Sequence, residues 1–297
     1  MSRIAIIGGG VVGCATAQNL ALKGHEIYIL ERGPRLGEGV TSRNSGVIHA
    51  GLYYPPTSLK AQSCVRGNAL LYEWCQKHDV PHRKTGKWIV AQEGEEAELE
   101  LLYQNALDSN APGLERVSRA GLTELAARGV KAAAALFSPQ TGIVDAYAYT
   151  KSFELDAAQH GAELMLHTNV TSLEHTPNGW LVSTTRGDIE ADVVINCAGL
   201  YADDVSRLAG VSRHTIYPWR GDYFRIQAPS GHLPALVYPV KKKNAAGLGV
   251  HLTQDLNGGF RLGPDVALAQ GKEDFLDPPP GPQLEEKKQR FFAAASH

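Results

Sequence analysis

The sequence predicts an α/β protein: a Rossmann-like dinucleotide-binding domain plus a second domain built on an antiparallel sheet. Three observations predict it. An apolar strand runs straight into a glycine-rich turn near the N-terminus. A second apolar run, residues 191–199, closes on glycine as a parallel strand returning to the first sheet would. Residues 222–262 then carry short strands separated by turns, the pattern of an antiparallel sheet.

Arg3, Ile4, Ala5, Ile6 and Ile7 read as a buried strand entering Gly8-Gly9-Gly10-Val11-Val12-Gly13, a GxGxxG turn. Gly8 permits the tight turn, Gly10 lets the backbone approach a pyrophosphate, and Gly13 allows the next helix to pack closely. The phosphate belongs at that helix's N-terminus. The following strand, residues 26–30, ends at Glu31, 23 residues after Gly8, where a carboxylate meets a ribose hydroxyl.

Residues 32–58 form a connection too long to be a simple turn, which marks it as functional. Residues 59–78 read as a helix with Leu59, Val65, Leu70, Leu71 and Trp74 along one flank, and residues 87–91 as a strand. The acidic run 93–100 opens another helix, its acids favourable in a first turn. Breaks at Ala111-Pro112-Gly113 and at residues 138–142 bracket an inserted region. A helix follows Asp145 to about residue 160, then a strand at 163–167 and a meander through 170–173 and 180–184 to the turn at Arg186-Gly187-Asp188. Strands at 222–227, 235–240, 248–253 and 260–262 build the second sheet, and a proline-rich stretch at 277–282 leads into a helix that aims Phe291 and Phe292 at a core. The expected division is 1–80 with 146–214 for the nucleotide domain, 81–145 with 215–276 for the second domain, and 277–297 as a linker and incomplete helix.

Composition narrows the function classes. At 297 residues the chain accommodates two domains, and a net charge of −2 provides no basic footprint for nucleic acid. The run Lys241-Lys242-Lys243 reads as a solvated loop. Four cysteines without CxxC spacing read as reduced, packed thiols, and eleven scattered histidines without HExxH argue against a metal site. A strand beginning at residue 3 leaves no room for a signal peptide, and no apolar stretch approaches the roughly 20 residues that span a bilayer. The expected setting is cytoplasmic, with contact at the inner face of a membrane compatible with it.

The segment Asn44-Ser45-Gly46-Val47-Ile48-His49-Ala50-Gly51-Leu52-Tyr53-Tyr54-Pro55 closely resembles the L-2-hydroxyglutarate dehydrogenase/oxidase branch of the FAD-dependent D-amino-acid-oxidase-like flavoproteins. Thr141-Gly142-Ile143-Val144-Asp145, Asn196-Cys197-Ala198-Gly199, Arg220-Gly221-Asp222-Tyr223-Phe224 and Gly249-Val250-His251-Leu252-Thr253 extend the likeness, which runs from about residue 3 to residue 265. It implies an FAD enzyme that oxidises the 2-hydroxyl of a small hydroxy-dicarboxylate and passes electrons to a quinone or another acceptor. It also implies a discontinuous FAD domain and an antiparallel substrate domain; family members carry, past the point where this sequence stops, a glycine-containing segment that closes the flavin site, and the expected fold lacks that segment. By the same likeness Gly8, Gly10, Gly13, Glu31, Thr41, Ser42 and Arg43 line the ADP half of FAD, and Val11, Val12, Arg32, Asn44 and Ser45 complete that set. Val170 falls near the adenine, with Ala198 and Gly199 beside the cofactor.

Oxidising a secondary alcohol requires a base for the hydroxyl proton and cations for the carboxylates. His49 and His251 are the candidate bases, histidine titrating near working pH. Arg220, next to Gly221, is the candidate carboxylate fork, and Tyr223 and Tyr238 are candidate donors to substrate oxygens. Two rivals stay open: an FAD-dependent amine or amino-acid oxidase, and an inactive flavoprotein-like chain acting through protein contacts. An NAD-dependent dehydrogenase would leave the 41–51 loop without a role.

Overall fold

The computed structural model describes residues 1–226, 233–241, 247, 249–276 and 280–296. The chain forms two compact units: residues 1–44, 145–218 and 270–272, and residues 45–144, 219–269 and 273–297.

The first unit is built on a four-stranded parallel sheet. Its order is Val193–Asn196, Arg3–Ile7, Glu26–Leu30, Glu163–Met165. The helices Val11–Ala21 and Ala146–Gln159 pack together, joined by Gln18, whose amide donates to Asp156 at 2.7 Å. The second helix starts where Asp145 takes the Ala148 N–H, an aspartate N-cap readable in the sequence. An antiparallel meander of Val170–Thr176, Gly179–Thr184 and Gly187–Ala191 adds Leu173 and Val182 to a core shared with Ala5, Ile7 and Leu30. Residues 191–199 are not one continuous strand. Ala191 ends the meander, Asp192 turns the chain by accepting the Arg3 N–H on its carboxylate, and only Val193–Asn196 pairs with the central strand.

The second unit carries a seven-stranded sheet. Its order is Phe224–Ile226, Phe260–Gly263, His251–Gln254, Leu236–Pro239, Lys87–Ala91, Ala134–Ser138, Glu115–Arg116. The expectation of an antiparallel sheet needs one correction, because Leu236–Pro239 runs parallel to Lys87–Ala91. Strands far apart in sequence meet there without a hairpin to force them antiparallel. A smaller sheet joins Val47–Ile48, Gly142–Val144 and His82–Arg83. That pairing, with Ala50 and Leu52 in the core beside Ile89 and Leu102, draws residues 45–80 into this unit and not into the nucleotide unit where the sequence placed them.

Within the helix Leu59–Lys77 the expected apolar flank is only partly buried. Leu59 and Leu70 are exposed, while Ala61, Asn68 and Cys75 face inward. The terminal helix Pro282–Ser296 buries Phe291 edge-on against Phe224 and leaves Phe292 exposed. Residues 277–279, Lys242, Lys243, Gln227 and Leu248 lie outside the described residues. All four cysteines are free thiols, Cys14 and Cys75 buried.

Candidate functional site

In the first unit the parallel sheet delivers Gly8, Gly9 and Gly10 to the start of the helix Val11–Ala21. Gly8 stands at φ +106°, and a Cβ on it would lie 2.4 Å from the Cys197 carbonyl oxygen, so no larger residue fits. A Cβ on Gly13 would come within 2.0 Å of the Gly8 carbonyl oxygen, which makes the third glycine a condition of close helix packing. Gly10 caps the helix with no side-chain acceptor, and no acid stands in the first turn. Thr41 takes only the Val11 N–H, at 3.0 Å. Such a helix start suits an anion.

Glu31 accepts from the backbone N–H groups of Gly9 and Gly33, both at 2.8 Å. It braces the glycine turn and retains lone pairs for a hydroxyl. Arg43 donates to the Glu38 carbonyl at 2.5 Å and to Ser42 Oγ at 2.8 Å, and Asn44 donates to the Thr41 carbonyl, so the 41–44 loop is self-braced. Val12 is exposed, Arg32 lies over the Tyr201 ring at 3.8 Å, and Val170 sits in the apolar core. The Ala198 N–H bonds the Asn196 side chain, and Gly199 has open space where a Cβ would point. Ser45 departs from this set: it belongs to the second unit and hydrogen-bonds Tyr223 there.

The second unit brings together His49, His251, Tyr223 and Tyr238. His251 is 5% exposed, its ring stacked on Tyr238 at 3.7 Å and edge-on to Tyr223 at 6.4 Å. Its Nδ1 lies 2.7 Å from the Gly249 carbonyl oxygen, a contact that only an Nδ1–H can use. Nε2 is therefore the acceptor. His49 follows the short strand Val47–Ile48 and keeps some exposed surface. Asn68 holds its backbone by donating to the His49 and Gln140 carbonyls, both at 2.9 Å. Burial lowers both imidazoles to about 4, helped by the nearby positive charge of Lys87. Both are neutral at pH 7.

Arg220 does not join them. Its guanidinium is held by Asp222 at 2.9 Å and Asp274 at 2.9 Å, inside a cluster where Lys287 bridges Asp222 and Asp265. Its carboxylate partners come from this chain, so the fork expected for substrate is spent on anchoring the segment around Asp274 and the terminal helix.

The sequence reading missed Lys87. Its side chain is 0% exposed, with Nζ 4.6 Å from the Tyr53 ring centroid and 4.7 Å from that of Tyr238. Among the described residues Nζ has no hydrogen-bond partner, and neither does the buried hydroxyl of Tyr53. Desolvation lowers the Lys87 ammonium to about 7. A signal was present: Lys87 alternates in phase with Ile89 and Ala91, which puts a charge on the buried face of its strand. In the same unit a cavity of about 590 Å³ is lined by Val65, Asn68, Tyr72, His82, Arg83 and Lys84 among others, and none of the expected site residues borders it.

The glycine turn braced by Glu31 and the separate sheet-based unit are the frame of a dinucleotide-binding α/β fold that carries a second sheet domain. The chain belongs to the FAD dependent oxidoreductase (DAO) family, whose model matches residues 3–295. It is 38% identical over 285 residues to the mitochondrial L-2-hydroxyglutarate dehydrogenase of Caenorhabditis elegans, covering 92% of this chain and 65% of that one. The human protein of the same name is 37% identical over 291 residues, with 92% and 62% covered. L-2-hydroxyglutarate dehydrogenase of Indibacter alkaliphilus is 34% identical, with 92% and 70% covered. The chain thus spans less than two thirds of the nematode and human relatives. Among solved structures, FAD-bound L-alpha-glycerophosphate oxidase from Mycoplasma pneumoniae superposes with a TM-score of 0.81 at 27% identity, covering 93% of this chain and 74% of that one. L-proline dehydrogenase from P. horikoshii gives a TM-score of 0.79 at 22% identity, covering 98% and 76%, a likeness of fold.

Proposed function

We propose that this chain oxidises the 2-hydroxyl of a small hydroxy-dicarboxylate, L-2-hydroxyglutarate to 2-oxoglutarate, with FAD as oxidant and a quinone or another acceptor downstream. The observation that carries this reading is the pair of buried, neutral imidazoles, His49 and His251, in a chain 34–38% identical to proteins named for that substrate. The first unit suits FAD. Gly8 and Gly13 let the strand, turn and helix pack closely, Gly10 opens a helix whose first turn carries no acid, as a pyrophosphate needs, and Glu31 retains lone pairs for a ribose hydroxyl. When bound, FAD supplies the acceptor for the hydride that leaves the alcohol carbon.

The protein's own task is the hydroxyl proton. His49 is the proton acceptor in this reading, because it is unprotonated at neutral pH and is half-buried where His251 is enclosed. His251 is the positioning partner: Gly249 pins its Nδ1–H and Tyr238 covers its face. Tyr223, edge-on to His251 and bonded to Ser45, completes that wall.

The purified chain is expected to show a flavin absorption band that bleaches on anaerobic addition of L-2-hydroxyglutarate. Bleaching by amino acids with none by the hydroxy acid would replace this reading with an amino-acid oxidase. A colourless chain that takes up no added FAD would make it an inactive flavoprotein-like chain.

A further inference from the structure

A buried ammonium ordinarily has a carboxylate or several carbonyl oxygens around it, because an unpaired charge in a low dielectric is costly. Lys87 has neither among the described residues. Two phenol rings face its Nζ, and such faces attract the charge without accepting its three N–H bonds. Tyr53, which supplies one of the rings, has a second enclosed donor without an acceptor in its own hydroxyl. The groups around this pair are His49, His251, Cys64, Tyr54, Tyr238 and, beyond Tyr238, Tyr223, with the exposed Lys60 on the helix side. No Asp or Glu is among the groups that shift Lys87. Two buried donors beside the candidate base, with no carboxylate against them among the described residues, match the needs of a carboxylate.

We propose that Lys87 Nζ and Tyr53 Oη form a subsite for one of the substrate's carboxylates, a proposal that rests on the hydroxy-dicarboxylate reading above. Lys87 thereby takes the role that the sequence assigned to Arg220. The lysine is fully enclosed, whereas Tyr53 is only partly buried apart from its hydroxyl, so Tyr53 is the wall that yields when an anion enters. The phenol rings hold the cation in the free protein, and the ligand replaces one of them with true acceptors.

Glutarate, a dicarboxylate without a hydroxyl to oxidise, tests the subsite apart from turnover. Calorimetric titration of the FAD-loaded full chain is expected to show glutarate binding that weakens as pH rises from 6 to 9, since the anion needs the protonated amine and free Lys87 titrates at about 7. K87M is expected to weaken glutarate binding by roughly 10- to 100-fold, the range for a hydrogen bond to a charged group, and to abolish the pH slope. Y53F is expected to give a smaller loss with the slope intact. K87M removes a buried charge, and its melting temperature should equal or exceed that of wild type, which shows that lost binding is not lost folding. Wild-type affinity and slope retained in K87M would overturn the subsite, as would absence of glutarate binding in a wild-type preparation that oxidises L-2-hydroxyglutarate. A wild-type chain that binds glutarate through Lys87 yet oxidises no hydroxy acid would uphold the subsite and reject the catalytic reading.

Discussion

His49 and His251 differ less in titration than in access. Both are lowered to about 4 by burial, and the residues differ in that His49 is half-buried where His251 is 5% exposed. H49N is therefore expected to reduce kcat by roughly 10²- to 10⁴-fold with a small change in KM, the scale of lost general-base catalysis. H251N is expected to act mainly on KM, since its ring positions Tyr238 and Tyr223; steady-state kinetics of the two variants separate the roles. The wild-type kcat/KM should rise with pH through about 4 as His49 loses its proton and fall above about 7 as Lys87 does. A flat alkaline limb in K87M would tie that limb to the lysine. The family-like motifs around His49 and His251 singled them out in the sequence, and the fold brings both into one unit. Arg220 was legible as a cation with Asp222 two residues on, but not as one closed off on both sides, because Asp274 lies 54 residues away along the chain.

The elements with local causes were the most readable. Gly8 and Gly13 mark the strand-to-helix turn, and the helices expected from residue 59 and after Asp145 start there, capped by Ser58 and Asp145 through bonds from Ala61 and Ala148. G8A is expected to abolish FAD retention, read as loss of the flavin-to-protein absorbance ratio, since its Cβ would fall 2.4 Å from a backbone oxygen. S58A is expected to cost about 1 kcal/mol in denaturant unfolding, the usual scale for a lost N-cap. Less readable were the direction of Leu236–Pro239, which pairs parallel to Lys87–Ala91, and the solvent-facing positions of Leu59 and Leu70. Alternation in a strand reports which face is buried and carries nothing about the partner's direction.

For the molecule as a whole, acid stability follows from the same buried groups. His49 and His251 titrate at about 4 folded against an ordinary 6.5, so the unfolded chain binds protons first as pH falls. The stability this provides is complete above pH 6.5 and is lost as pH falls towards 4. Asp203 adds a second, lower limb. The Lys272 ammonium at 2.5 Å, the Ile216 N–H and Arg207 hold its carboxyl well below the ordinary 3.8, so its contribution is present above that value and disappears only as pH falls through the folded pKa. Melting temperature should therefore drop between pH 6.5 and 4 in wild type, and the drop should be shallower in the H49N/H251N double variant. D203N should lower the melting temperature at pH 7 and converge with wild type in strong acid.

By itself the sequence determined the dinucleotide turn, its glycines and acid, the helix starts and the motif around His49, because each depends on neighbours within a few residues or on a spacing that local geometry imposes. Only the tertiary structure decided that residues 45–80 join the second unit, that Arg220 is spent on Asp222 and Asp274, and that Lys87 is caged between Tyr53 and Tyr238. Those outcomes depend on which distant segments meet, and no local spacing reports which side chains will enclose a charge carried there.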